Sequence, residues 1–268
     1  MDLGVFFREE GIDVYSEVNL SVLAEEDRGS VVHYFPKARS IIVFGKEVPA
    51  PVYLLPPKQK TRGMLMIAES LDRAAISLAE NLNSEHIPAL SVPLYLPVRI
   101  VDGRIQGVIR LKHIAAGGGL GSIGRNSVLI SPRYGPRLLL SGVVTGMQVS
   151  GHPVPGSAGP GTDPAGPRLC SGCGLCARIC PGGAVGPDGN VDAFRCRTIS
   201  AWVPQPLVPA VKFLAGRRML LSGMAPLAPW IARTATIRCS LCVTGCPLFK
   251  GEKEPYASVT QEQQGTGK

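Results

Sequence analysis

Four cysteines spaced Cys170-x2-Cys173-x2-Cys176-x3-Cys180, with Pro181 after the last, constrain this chain more than anything else in it. Three thiolates two residues apart wrap a loop around one cubane while the fourth reaches across to another, which is the ligand spacing of [4Fe-4S] sites. Gly172 and Gly174, lying between them, let the backbone approach the inorganic sulfides. The chain has eight cysteines in all, and the other four are Cys196, Cys239, Cys242 and Cys246. Cys239-x2-Cys242-x3-Cys246-Pro247 repeats the end of the first run without its opening cysteine, and Cys196 supplies the missing ligand.

By the crossed logic of two-cluster ferredoxins, one [4Fe-4S] cluster takes Cys170, Cys173, Cys176 and Cys246, and the other takes Cys180, Cys196, Cys239 and Cys242. Eight ligands fill two clusters with none left over. The alternatives are two zinc sites of four cysteines each, or structural disulfides. Zinc ribbons use separate cysteine pairs, so a third cysteine at x2 followed by x3-Cys-Pro is surplus to a tetrahedral site. Disulfides are disfavoured in a reducing cytoplasm, where the chain is expected to reside. Its start, Met1-Asp2-Leu3-Gly4 with Arg8-Glu9-Glu10 behind, lacks the basic flank and apolar run of a signal peptide. No membrane span is expected, because the nearest approach to an apolar run, residues 211–235, is broken by Arg217, Arg218, Pro226 and Pro229. With every position around each cubane filled by thiolate, neither offers an open iron for substrate chemistry, and both are read as electron conduits.

Residues 1–150 contain no cysteine and alternate helix-like with strand-like segments, which predicts an α/β domain. Met64, Ile67, Ala68, Leu71, Ala75, Leu78, Ala79 and Leu82 recur at helical spacing with Glu69, Asp72, Arg73 and Glu80 between them, predicting an amphipathic helix. Residues 40–44, 127–130 and 137–145 read as strands, and the turn-rich Ser131-Pro132-Arg133-Tyr134-Gly135-Pro136 is expected to join the last two as a hairpin. Five glycines and five prolines between positions 151 and 167 place a linker at 151–168, followed by a cluster domain over 169–250 and a polar tail over 251–268. The formal charge of +8 favours an acidic partner: a nucleic acid, an anionic cofactor or an acidic redox protein.

Gly119-x-Gly121-x-x-Gly124 matches the dinucleotide fingerprint letter for letter, but its context rejects a Rossmann site. Residues 110–116 before it look helical, residues 127–130 after it look like a strand, and no Asp or Glu occurs between Asp102 and Asp163. Two readings stay open: a tight helix-to-strand turn, or a backbone surface laid against a flat cofactor. His113, beside Lys112 at the start of this turn, reads as a solvated or hydrogen-bonding side chain rather than a metal ligand, and Tyr134 as structural. His33, His86 and His152 are isolated and take no role.

The stretch Lys112-His113-Ile114-Ala115-Ala116-Gly117-Gly118-Gly119-Leu120-Gly121-Ser122-Ile123-Gly124-Arg125-Asn126-Ser127-Val128-Leu129-Ile130, taken with the cysteine layout, resembles the epoxyqueuosine reductase and reductive dehalogenase family of cobalamin-dependent iron–sulfur enzymes. The resemblance rests on residues 111–146 and 169–247, where Cys196 stands apart as the family's isolated ligand does. Ala38-Arg39-Ser40-Ile41-Ile42-Val43 is weakly similar to a strand near the start of the family's domain. The resemblance implies a nitroreductase-like α/β domain that holds cobalamin, joined to a C-terminal ferredoxin-like domain whose two [4Fe-4S] clusters reduce the cobalt. It implies an electron donor of the reduced ferredoxin or flavodoxin type, and it puts Gly119, Leu120, Gly121 and Gly124 at the border of the corrin.

Two departures matter. Epoxyqueuosine reductases place an Asp, thought to donate the proton, shortly before a Glu-Arg pair; here Leu111-Lys112 occupies that pair, Ile105 falls near the Asp position, and Asp102 lies about three residues too far upstream. No proton donor is therefore assigned. Those enzymes also commonly extend beyond the clusters with a helical-repeat region that helps bind tRNA, whereas this chain ends soon after Cys246, so a tRNA substrate is not expected. The leading reading is an iron–sulfur protein passing electrons to a corrinoid that reduces a small organic substrate. The alternative is a non-catalytic carrier or activase that reduces a partner, such as a corrinoid protein. A nucleic-acid module ranks last, because no aromatic-rich or Arg-rich recognition motif is present.

Overall fold

Ile41, Ile42, Val43 and Phe44 are four consecutive apolar residues with no exposed surface. A strand can satisfy that pattern only when both of its faces are covered. In the computed structural model, which describes residues 2–94, 98–101, 104–149, 169–186, 189–200, 206, 208–209 and 236–250, these residues lie in β2 (Ser40–Glu47) of a four-stranded antiparallel sheet. The expected linker 151–168, the tail 251–268, the stretch 211–235 and Asp102 lie outside the described residues.

The other strands of the sheet are β1 (Val14–Asn19), β3 (Ala89–Ser91) and β8 (Leu138–Thr145), in the order β1-β2-β8-β3. The side-chain alternation of β2 sorts the core into two halves. Ile42 and Phe44 face α1 (Leu3–Glu9) and α4 (Pro57–Ser84), where they meet Phe6, Phe7, Leu71 and Leu78. Ile41 and Val43 face α2 (Glu25–Tyr34) and α5 (Leu111–Gly117), where they meet Val31, Ile114 and Ala115. The result is a mixed α/β domain with helices on both faces of an antiparallel sheet.

Helix α4 carries the expected apolar stripe, with Met64, Leu71, Ala75, Leu78, Ala79 and Leu82 buried. It begins at Pro56-Pro57, where a proline in the first turn loses no hydrogen bond the helix needs. The short helix α3 (Ala50–Leu54) precedes α4, and between β3 and α5 run the strands β4 (Val98–Val101) and β5 (Arg104–Gly107), which pair with each other. Arg110, at the start of α5, pairs with Asp27 Oδ1 at 2.7 Å and Glu26 Oε2 at 2.8 Å, which ties α5 to the first turn of α2.

The expected hairpin between residues 127–130 and 137–145 does not form. The strand β7 (Leu129–Ile130) pairs instead with β6 (Ser122–Ile123), and β8 runs in the sheet centre between β2 and β3. The physical reason is length and burial. Eight residues of β8, from Ser40↔Thr145 to Glu47↔Leu138, find full partners only on β2, which a two-residue strand cannot supply. The turn at residues 131–136 closes on itself through the bridge Ser131↔Gly135.

Leu78 has no exposed surface and lies in the core between α4 and the sheet. Leu78→Ala is expected to lower the unfolding free energy by about 2–5 kcal/mol, measured as a lower urea midpoint at unchanged denaturant slope.

Candidate metal centre

The first cysteine run is shaped by its glycines. Gly172 and Gly174 take left-handed backbone conformations, φ 71° and 70°, that a β-carbon would strain, and Gly174 caps α6 (Leu175–Arg178), which carries Cys176. After Cys180 the chain turns through Pro181-Gly182-Gly183 so that the Ala184 amide donates to Cys180 Sγ at 3.2 Å. Burial pushes the Cys180 thiol up, but the amides of Ala184, Gly182, Val185 and Gly183 outweigh it and leave the net shift downward. Cys196 ends a single 3-10 turn, Ala193–Arg195, capped by Asp192, whose side chain accepts from the Phe194 amide at 2.9 Å; Phe194 buries the turn.

Cys242 lies in the short helix Leu241–Thr244, with Cys239 before it and Cys246 after it. Thr198 stitches this helix to the Cys196 loop 41 residues earlier: its hydroxyl donates to Cys239 O and accepts from Cys239 N, both at 3.3 Å. Gly245 leaves room for Ile179, at the end of α6, so the two cysteine runs cross in contact.

All eight thiols are free, and their mutual electrostatics sort them. Burial raises Cys242 to about 11, with Cys196, Cys239, Cys180 and then Cys176 adding to it. Burial also raises Cys246; the Leu248 amide lowers it, and Cys170, Cys173 and Cys176 raise it again. Burial raises Cys176 too, with Cys170 and Cys173 contributing. Cys246 is thus within electrostatic reach of the first three cysteines, and Cys242 within reach of Cys196, Cys239, Cys180 and Cys176. Among the described residues no three or more His, Cys, Asp or Glu side chains converge closely enough for a single metal ion.

The α/β domain holds the second run directly. Asn126 Nδ2 donates to Cys242 O at 2.9 Å, the Ile237 amide donates to Thr61 Oγ1 at 2.7 Å, and Lys60 Nζ donates to Ser240 Oγ at 3.0 Å. Arg137 donates from Nε to Phe249 O at 2.6 Å, pairs with Glu47, and lies over the Phe249 ring, whose edge meets Tyr53. A small apolar cluster of Val48, Tyr53 and Met64 with Ile237, Val243 and Phe249 fills the junction. Reading the sequence missed all of these contacts. Lys60 and Thr61 look like ordinary positions on an amphipathic helix, and nothing in their spacing signals a partner near position 240.

The glycine run is an α-to-β turn. Gly119, at φ 81°, ends α5 in a Schellman arrangement in which the Leu120 amide bonds to Ala115 O at 2.9 Å and the Gly119 amide to Ala116 O at 3.0 Å. Leu120 is buried in the core. A β-carbon on Gly121 would fall on the Ile130 carbonyl, and one on Gly124 would overlap Ile130 and Asn126. Chain packing thus accounts for all three glycines of the fingerprint. Lys112 Nζ closes the turn by donating to Ser127 O at 2.8 Å and Ser127 Oγ at 2.6 Å. His113 is half-buried; burial, then the neighbouring Arg110, lowers its pKa, so it is neutral at pH 7. Tyr134 is a core residue with Arg133 over its ring.

No family model matches the chain. The fold is that of epoxyqueuosine reductases. The solved structure from Streptococcus thermophilus aligns with a TM-score of 0.56 at 16% identity, covering 95% of this chain and 67% of that one, and the structure from Bacillus subtilis with a TM-score of 0.54 at 19% identity, covering 93% and 65%. In sequence, the epoxyqueuosine reductase of Lactococcus garvieae (strain Lg2) is 32% identical over 161 residues, which span 56% of this chain and 37% of that protein. The chain is a distant homologue of epoxyqueuosine reductase.

Gly135 sits at φ 56°, and a β-carbon there would overlap the Leu248 carbonyl oxygen. Gly135→Ala is expected to loosen residues 236–250 from the α/β domain, read as faster cleavage of that segment in limited proteolysis and a lower melting temperature.

Proposed function

We propose that this chain is an iron–sulfur redox protein that passes electrons through two [4Fe-4S] clusters to a corrinoid, for reduction of a small organic substrate. The observation that carries the reading is the grouping of the thiols. Cys170, Cys173 and Cys176 all act on Cys246, and Cys196, Cys239, Cys180 and Cys176 all act on Cys242, although these residues come from distant parts of the chain. This supports assigning Cys170, Cys173, Cys176 and Cys246 to one cluster and Cys180, Cys196, Cys239 and Cys242 to the other. Two crossed sets of four are what two cubanes require. Zinc ribbons use separate cysteine pairs, so a third cysteine at x2 followed by x3-Cys-Pro is surplus to a zinc site.

In this reading the chain's residues do three things. The Cys180–Ala184 turn aims amides at the Cys180 sulfur, which stabilises negative charge there. Arg178 braces the first loop by donating to Cys173 O at 3.0 Å. Asn126, Thr61 and Arg137 hold the second run at a fixed place on the α/β domain, which is what electron transfer over a set distance needs. A bound corrinoid would supply a metal centre that accepts these electrons and reduces the substrate. The stretch Gly119, Leu120, Gly121 and Gly124 is the proposed corrin border by resemblance; Leu120 points into the core, so contact there falls to the backbone, and Gly117 beside it faces space free of other protein atoms within 4 Å.

The second reading, a carrier or activase for a partner protein, is favoured by the missing acid. Lys112 keeps a cation at the second position of the Glu-Arg pair and commits it to Ser127, but Leu111 replaces the Glu and Ile105 falls near the Asp position, so the chain supplies no acid there. Under either reading the electron donor is a reduced ferredoxin or flavodoxin. No helix among the described residues is long and apolar enough to cross a membrane.

Anaerobic reconstitution is expected to load about eight irons per chain, and Cys196→Ser about half that number with a single remaining cluster signal; full iron in the variant overturns the crossed scheme. Titration with cobalamin under reducing conditions separates the two functions. Tight binding with reduction of the cobalt is the expected outcome, and intact clusters with no corrin binding point to the carrier.

A further inference from the structure

Between residues 193 and 251 the chain contains no aspartate or glutamate, eight lysines and arginines, and four of the eight cysteines. Into this acid-free segment projects Lys60, from the first turn of α4, with only 6% of its surface exposed. Its Nζ donates to Ser240 Oγ at 3.0 Å, and that hydroxyl donates onward to Tyr53 O at 3.4 Å. Among the described residues no carboxylate forms an ion pair with it. A buried ammonium held by one neutral hydroxyl carries a large desolvation cost unless an anion balances it. Arg137, the other buried cation at this junction, has Glu47 for that purpose; Lys60 has none.

The neighbours of Ser240 identify the anion. Cys239 precedes it, Cys242 follows two residues later, and Lys60 and Cys239 line one cavity of about 760 Å³ together with Arg197 and Arg238. A cubane held by four thiolates is a net anion, and it gains a further negative charge on reduction. We infer that Lys60 is the buried counter-charge of the cluster held by Cys180, Cys196, Cys239 and Cys242, an inference that rests on the iron–sulfur reading above. Lys60 favours the reduced state of that cluster over its oxidised state and so raises its reduction potential. Its effect is local, because Lys60 contacts the second cysteine run and not the first. It also persists in salt, since a buried charge is poorly screened.

The test is a potentiometric titration followed by electron paramagnetic resonance on the full, reconstituted chain, comparing wild type with Lys60→Met and Lys60→Arg. Lys60→Met is expected to shift one of the two one-electron equilibria at least tenfold toward the oxidised form, about 59 mV, and to leave the other in place; Lys60→Arg is expected to restore it. Unmoved midpoints in Lys60→Met with full iron, an equal shift of both, or an equal shift in Lys60→Arg each overturn the assignment. If Lys60→Met loses one cluster, retention of that cluster by Lys60→Arg supports a requirement for the charge, and loss in both variants overturns it. A wild-type chain that takes up no clusters refutes the iron–sulfur reading itself, a result distinct from unmoved potentials.

Discussion

Everything in the cysteine region depends on holding two distant runs of chain against each other, and the α/β domain is what holds them. Neither run has a core of its own among the described residues. The helices α6 and Leu241–Thr244 are each four residues long, too short to persist without tertiary support. What fixes the second is a set of side chains from the sheet domain, Asn126 on Cys242, Thr61 on Ile237 and Arg137 on Phe249, and the first packs on it through Ile179 against Gly245. The sheet domain is rigid enough for this because β2 and β8 are sealed on both faces; α4 presents Lys60 and Thr61, and the turn between β6 and β7 presents Asn126, toward the second cysteine run.

Charge follows the same division of labour. The sheet domain pairs Arg110 with Asp27 and Glu26 and Arg137 with Glu47, and among the described residues leaves the buried Lys60 without an acid of its own. The segment after residue 192 has cations and no acids until Glu252. If the clusters proposed above are bound, their thiolates would complement that imbalance, and the composition of the segment and its cysteines would express one electrostatic requirement. This also qualifies the formal charge of +8, part of which would be consumed internally by the clusters rather than presented to a partner.

The turn between α5 and β7 illustrates how far a motif can be trusted. Its letters spell a dinucleotide fingerprint, and its setting, a helix before and a strand after, rejected that site without coordinates. The structure adds the reason for each glycine: a left-handed cap at Gly119, and contact with β7 at Gly121 and Gly124. Where reading the sequence failed was the hairpin at residues 127–145. A turn-rich hexapeptide between two β-rich runs is a local signal, and it was overridden because β8 has a better partner in β2, a strand nearly a hundred residues earlier, which it pairs over a full eight-residue register.

What the sequence alone determined was whatever has a local physical cause. The apolar period of α4 made a helix, the doubly apolar run of β2 made a buried strand, and the x2-x2-x3 cysteine spacing made a loop able to wrap a cluster, because each depends on residues within a few positions of one another. Only the tertiary structure decided which strands pair, that Asn126 meets the Cys242 carbonyl, and that Lys60 meets Ser240 from 180 residues away. Those are contacts between segments with no periodicity in common, set by how the covered sheet and its helices fill space, and no local pattern encodes them.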